Sequence, residues 1–155
     1  MTEVERITDQ LNRAFHGEAW HGPAVMTILE GITAIQAAAR PMRGAHSIWE
    51  LALHIEAWDR ACLRRLNGDR AELDDAEDWR QVEDTSEESW EKCKAAMRQA
   101  NEELRHAVSR LDDSRLDQPI LKGMPTIYIT LHGVIQHDLY HAGQIAILKK
   151  AMSEG

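Results

Sequence analysis

The sequence predicts an all-α fold, an antiparallel four-helix bundle with extra short helices. Three observations point to it. Apolar residues recur at helical spacing in four long segments of a 155-residue chain. Several of these segments, long and short, open with Ser or Thr followed three residues later by Glu or Gln, the pattern that satisfies the free N–H groups of a first helical turn. No stretch alternates convincingly with the two-residue period of a strand; the short apolar run before Thr130 merges into a helical pattern. The length suffices for a single domain with a real core, expected to span residues 1–155.

Thr2 and Glu5 form the first such box, and Val4, Ile7, Leu11, Ala14 and Phe15 follow on one face. Gly17 interrupts, and the segment from Glu18 to Pro23 reads as a turn, with Pro23 suited to the first position of a new helix carried by Val25, Met26, Ile28 and Leu29. Thr33 and Gln36 start another short helix, which the run Arg40-Pro41-Met42-Arg43-Gly44 ends. Ser47 and Glu50 open the second long helix. Ile48, Leu51, Ile55, Trp58 and Cys62 mark its inner face, and Asn67-Gly68 ends it. An acidic stretch without strong periodicity follows and reads as a loop with a turn of helix near Trp79. Thr85 and Glu88 then box a long helix reaching Leu111, with Trp90, Met97, Leu104, Val108 and Leu111 inward. A connection holding Pro119, Gly123 and Pro125 leads to Thr126, which caps a last helix ending near Met152. The loops at 40–46, 67–85 and 112–125 are long enough for either neighbouring or crossover connections.

Charge excludes some functions. The net charge is −8, and no basic face is available to neutralise phosphates, which argues against nucleic acid as a partner. Residues 69–91 hold 11 acids and 2 bases, so the remainder of the chain is nearly neutral. Such a run reads as a solvated loop and helix start. The N-terminal residues are charged and lack a signal-peptide core. With two cysteines and no Cys-x-x-Cys pair, the expected location is the cytoplasm. The stretch from Ile127 to Leu148 is long enough to suggest a membrane span. Its three histidines, two glutamines and Asp138 argue for the central helix of a soluble bundle instead, with no membrane partner.

That last helix carries the chemistry. Asp138 is the only Asp, Glu, Lys or Arg between Ile127 and Leu148, and His137 and His141 lie four residues apart within it. Four residues are one turn plus about 40°, a rise of roughly 6 Å, so both imidazoles project from one face and can converge on a point. Buried polar rings need partners, either local hydrogen bonds or a metal. A third ligand would come from another helix. His54, mid-helix among apolar residues, is better placed than His46 or His106, which lie near helix ends, His16 or His21, which lie near a break, or His132, which points away from the pair. Three neutral imidazoles suit Zn(II), Ni(II) or Cu(II) and leave a coordination position open, the pattern of a catalytic site. On spacing alone, buried or interfacial structural histidines are the commoner reading, since two histidines four apart arise readily by chance among eight. Glu103 and His106 form a lone E-x-x-H, far short of a di-iron carboxylate site, and Cys62 and Cys93 read as core residues and not nucleophiles.

Trp20-His21-Gly22-Pro23 with Leu29-x-Gly31, then His46-Ser47-Ile48-Trp49-Glu50-Leu51 leading to His54 and Trp58, and above all His137-Asp138-Leu139-Tyr140-His141-Ala142-Gly143-Gln144-Ile145 carry a resemblance. Over nearly its whole length the chain resembles the DinB-like (DinB/YfiT) superfamily. The resemblance implies a four-helix bundle, often a homodimer, with a divalent metal on three histidines, which would be His54, His137 and His141 here. It also implies a small-molecule substrate, and a thiol S-transferase or isomerase using a low-molecular-weight thiol such as bacillithiol, mycothiol or glutathione, or else a metal-dependent hydrolase. Zn and Ni are the metals expected. The open position would bind a thiol or a water and lower its pKa. Asp138, Tyr140 and Gln144 flank the pair, one of them a candidate to orient a ligand ring. Trp20, Trp49 and Trp58 are candidates to wall a pocket. The alternative is a non-enzymatic metal-binding or stress-response bundle.

Overall fold

The computed structural model describes residues 1–153, and its elements are helical: α1 (Glu3–Phe15), α2 (Val25–Leu29), α3 (Ala34–Ala38), α4 (Ile48–Leu66), α5 (Asp75–Asp78), α6 (Glu87–Ser109), a 3-10 turn (Asp113–Arg115) and α7 (Ile127–Ser153). Among the described residues there is no strand, only the isolated bridges Ala19–Gly22 and Pro119–Thr126. No helix among the described residues is long and apolar enough to cross a membrane.

The four long helices, α1, α4, α6 and α7, form the bundle, with α4 and α1 each packed between α6 and α7. α4 and α7 run antiparallel: Leu51 lies near Leu148, His54 near His141, and Cys62 near Val134. α4 and α6 run in the same direction, Trp49 facing Trp90 (5.1 Å between ring centroids) and Arg60 facing Glu103 (3.5 Å). The connection between them, residues 67–86, is therefore a crossover strap that returns the chain to the end where α4 began.

The capping boxes of Thr2–Glu5, Thr33–Gln36 and Ser47–Glu50 all form, each with both reciprocal hydrogen bonds. Two other starts shift. Pro23 lies outside α2, because Ala24 takes the extended cap conformation and Val25 is the first helical residue. α6 is capped by Ser86, whose hydroxyl accepts from the Ser89 N–H, and not by Thr85. Asp84 explains the shift: its carboxylate accepts from both the Ser86 N–H (2.9 Å) and the Ser89 hydroxyl (2.5 Å), which fixes the helix start one residue later. Ser86→Ala is expected to lower stability by about 1 kcal/mol, whereas exposed Thr85→Ala stays within about 0.5 kcal/mol; thermal melts of the two variants distinguish them. α6 also ends earlier than Leu111, at Ser109, leaving Leu111 half-buried.

The core falls into two apolar clusters along α7. One gathers Ala142, Ile145 and Leu148 with the first half of α4, Phe15 and the α6 residues Trp90 and Met97. The other gathers Ile127, Leu131, Val134 and Ile135 with Cys62, Leu104, Val108 and most of α1's inner face. Between them lies a layer of buried polar side chains: His54, Glu56 and Asp59 from α4, Asn101 from α6, and Asp138 and His141 from α7. Burial of so many polar groups in one plane of a bundle marks the place where function is to be sought.

Candidate metal centre

Antiparallel packing of α4 on α7 brings His54 opposite the His137–His141 turn. One donor nitrogen from each of the three rings lies within 4.8 Å of the others, so the group could hold a metal ion. His54 and His141 are buried and His137 half-buried. His54 Nδ1 donates to the Asp78 carbonyl oxygen at 3.0 Å, and His141 Nδ1 donates to Gln144 Oε1 at 2.6 Å. A proton held at Nδ1 leaves the Nε2 lone pair free, so these two rings present acceptor nitrogens inward. His137 Nε2 sits 3.0 Å from His54 Nε2. Without a cation, His137 has to carry its own proton on Nε2 to make that contact favourable. With one, three lone pairs share it, which is the chemistry this donor set fits.

The protonation states agree. Burial lowers the pKa of His54 and His137, and it lowers that of His141 to about 4 in spite of the Gln144 hydrogen bond. All three rings are therefore neutral at pH 7, the form a metal requires.

The strap supplies groups that the sequence reading left as a solvated loop. Trp79, at the end of α5, stacks flat on His54 (3.9 Å between centroids, 5° between planes) and on its other face against His46 (3.6 Å, 4°). Asp78 accepts from His54 with its carbonyl and from Trp58 Nε1 with its carboxylate (2.7 Å). Arg80 ties the strap to α4 through the Leu53 carbonyl (2.9 Å) and an ion pair with buried Glu56, which Arg60 also pairs. One available signal was the single aromatic ring in residues 69–89, flanked by Asp78 and Arg80 in a run that is otherwise acidic.

The other flanking residues separate. Gln144 orients His141 as described. Asp138 Oδ1 is 3.9 Å from His137 Nδ1, too far for a hydrogen bond, and His137 Nδ1 has no partner. Tyr140 is 68% exposed, its ring edge-on to His141 at 5.1 Å. Of the tryptophans, Trp20 is fully exposed on a turn, and Trp49 lies in the core against Trp90 and lines a hollow of about 340 Å³ with Glu56 and Arg80 that none of the three histidines borders, so neither walls a pocket at the triad. Trp58 does line one. A cavity of about 440 Å³ reaches His137 and is bounded by Trp58, Arg65, Ile129, Gly133 and Val134 among others. A larger, shallow depression of about 600 Å³, lined by Thr8 and α6 residues including Glu103 and His106, is on the far side of the bundle from the histidines. Cys62 and Cys93 are buried and unpaired, and burial pushes both thiols up to about 12, so neither is a nucleophile at neutral pH.

Behind His137, Asp138 and Asp59 are both wholly buried. Burial and their mutual repulsion raise the carboxyl pKa of Asp59 well above the usual range, and burial does the same to Asp138. Asp59 receives one long hydrogen bond from Asn101 (3.4 Å), and both Asp138 oxygens lack a partner.

An all-helical bundle with a three-imidazole group able to hold a metal at its mid-plane is the class of protein that these observations define. The family model of the DinB superfamily matches residues 7–145, and the chain belongs to that superfamily. No curated protein and no solved structure was found to match.

Proposed function

We propose that the chain is a divalent-metal-dependent enzyme in which His54, His137 and His141 are the metal ligands. The observation that carries this reading is the convergence of three neutral imidazoles, two of them anchored at Nδ1 by the Asp78 carbonyl and Gln144, beside a cavity that reaches His137. Zinc and nickel both suit three imidazoles. When bound, the metal would supply Lewis acidity, bringing a thiol or water at its open position toward ionisation near neutral pH. The reactions this fits are thiol S-transfer or isomerisation with a low-molecular-weight thiol, and hydrolysis. The residues' own parts are clear in outline. Asp78 and Gln144 hold two rings in the metal-binding tautomer, Trp79 covers one face of His54 and excludes water from it, and the cavity beside Trp58 receives a small molecule.

Gln144→Ala is expected to weaken metal affinity about 10-fold while leaving the fold intact, as loss of a ring-orienting partner does; competition with a chromophoric chelator measures it. We further infer a homodimer: exposed Met42 and Ile147 border one hollow, exposed Tyr140 lies two turns before Ile147 on α7, and Gly143 between them has open space where a side chain would stand. The unpaired cysteines suit the cytoplasm.

The test is turnover by Zn- and Ni-loaded protein with glutathione, mycothiol and bacillithiol against chlorodinitrobenzene and bimane electrophiles, and with nitrophenyl esters. Metal-dependent turnover that chelation and His54→Ala both abolish is the expected result. A protein that keeps its metal on the three histidines and turns over none of these probes favours the non-enzymatic alternative.

A further inference from the structure

The cavity beside His137 has an end that metal chemistry does not explain. Arg65 is the one charged residue lining its wall, which is mostly apolar apart from the neutral His137 ring. Arg65 is held rigidly. Its Nε donates to the Arg70 carbonyl (3.0 Å), one Nη donates to the Ala71 carbonyl (3.3 Å), and its guanidinium stacks over Trp58 at 5.4 Å from the ring centroid. These partners fix its position without neutralising it. Among the described residues Arg65 makes no ion pair, although its neighbours Arg64 and Arg70 pair with Asp69 and Glu72 in a chain that carries net −8. A half-buried, immobilised cation facing an apolar cavity is a site for an anion, and the planar fork of Arg favours a carboxylate.

Gly133 lines the same cavity from α7. A glycine inside a helix costs about 1 kcal/mol relative to alanine. Its backbone does not require glycine, and a Cβ there would meet nothing within 4 Å. What the missing side chain preserves is the cavity itself. Because the Arg65 guanidinium lies over the Trp58 ring, a carboxylate held by the one has its chain beside the other, and the volume of about 440 Å³ is within the range of small-molecule sites.

We infer that this cavity binds a medium-length apolar molecule bearing a carboxylate, with the carboxylate on Arg65 and the apolar body between Trp58 and Gly133. The other end of such a molecule lies at His137. This names the substrate class of the proposed enzyme and rests on that reading only for what happens at the His137 end; binding itself needs no metal.

The experiment is titration of the full-length, chelator-treated protein with octanoate and with 1-octanol, followed by tryptophan fluorescence and calorimetry. Octanoate is expected to bind at least 10-fold more tightly than the alcohol. Arg65→Met should remove that preference while the alcohol still binds, and Arg65→Lys, which keeps the charge but loses the planar fork and its anchors, should retain only part of it. Gly133→Leu should abolish binding of both probes without lowering the melting temperature. His141→Ala, which removes a metal-site histidine that does not line the cavity, should leave octanoate affinity within about 3-fold, so a failure of the metal reading and a failure of this one are separable. Equal affinity for the two probes, binding of neither, a preference that survives Arg65→Met, or full binding by Gly133→Leu would each overturn the inference.

Discussion

His137→Ala is expected to lower affinity for Zn(II) or Ni(II) by more than about 100-fold, with His54→Ala and His141→Ala behaving alike. The bound is set by comparison: loss of a group that merely orients a ligand ring weakens binding about 10- to 100-fold, and loss of one of only three protein ligands exceeds that. The three effects should not add, because the two imidazoles left in any single variant already no longer enclose the ion. His132→Ala is the control. Its ring packs against Tyr128 (4.3 Å) and not against the triad, so its metal affinity should equal that of wild type. Isothermal titration or chelator competition at pH 7.5 reads all four variants. Equal losses at His132 and His137 would place the metal elsewhere.

Asp138→Asn is expected to stabilise the metal-free protein at pH 8 by about 2 kcal/mol, roughly 6 °C in a chain of this size. Asp138 and Asp59 are wholly buried and repel one another when ionised, and neither Asp138 oxygen has a partner. An amide cannot ionise and can donate toward the unpartnered Asp59 oxygen. The pH dependence has a definite sign. The folded-state pKa of Asp138 is raised above its unfolded value near 4, so its proton is bound more tightly when folded. That contribution is present in full below pH about 4 and is lost as pH rises through the folded value. The histidines act oppositely: with folded pKa values lowered, His141 to about 4, they remove stability as pH falls from about 6.5 toward 4. Wild type should therefore melt highest above pH about 6.5 and below the pH at which Asp138 ionises, and Asp138→Asn should flatten the alkaline side alone. A destabilised variant would mean that the carboxylate has a partner, His137 Nδ1 being the nearest candidate.

Much of this arrangement could be read from local patterns, because helix caps and apolar periodicity are local properties. The boxes at Thr2, Thr33 and Ser47 and the spacing of His137 and His141 are determined within a few residues. His54 joins them because α4 and α7 pack antiparallel, which four amphipathic segments with such loops readily allow. What was not legible depends on the crossover. Within residues 67–86 the lone aromatic ring of Trp79 is the one hint that the strap lies over α4, and it does not say on what, so its place between His46 and His54, and the Asp78 carbonyl on His54 Nδ1, could not be assigned from spacing. Trp20 failed for the opposite reason: its aromatic character suggested a pocket wall, and an exposed turn between α1 and α2 leaves it in solvent. Thr85 lost the cap to Ser86 through a side-chain network one residue upstream, below the resolution of a four-residue motif.

The most direct test of the central claim is elemental analysis of full-length protein prepared without a histidine tag, wild type beside His54→Ala and His137→Ala, with the wild-type metal located by anomalous scattering. About one zinc or nickel per chain, placed among the three Nε2 atoms and lost in both variants, is the predicted result. A folded wild type that contains no transition metal, and whose melting temperature does not change on adding Zn(II) or Ni(II), would contradict it and leave the three histidines as a hydrogen-bonded structural cluster.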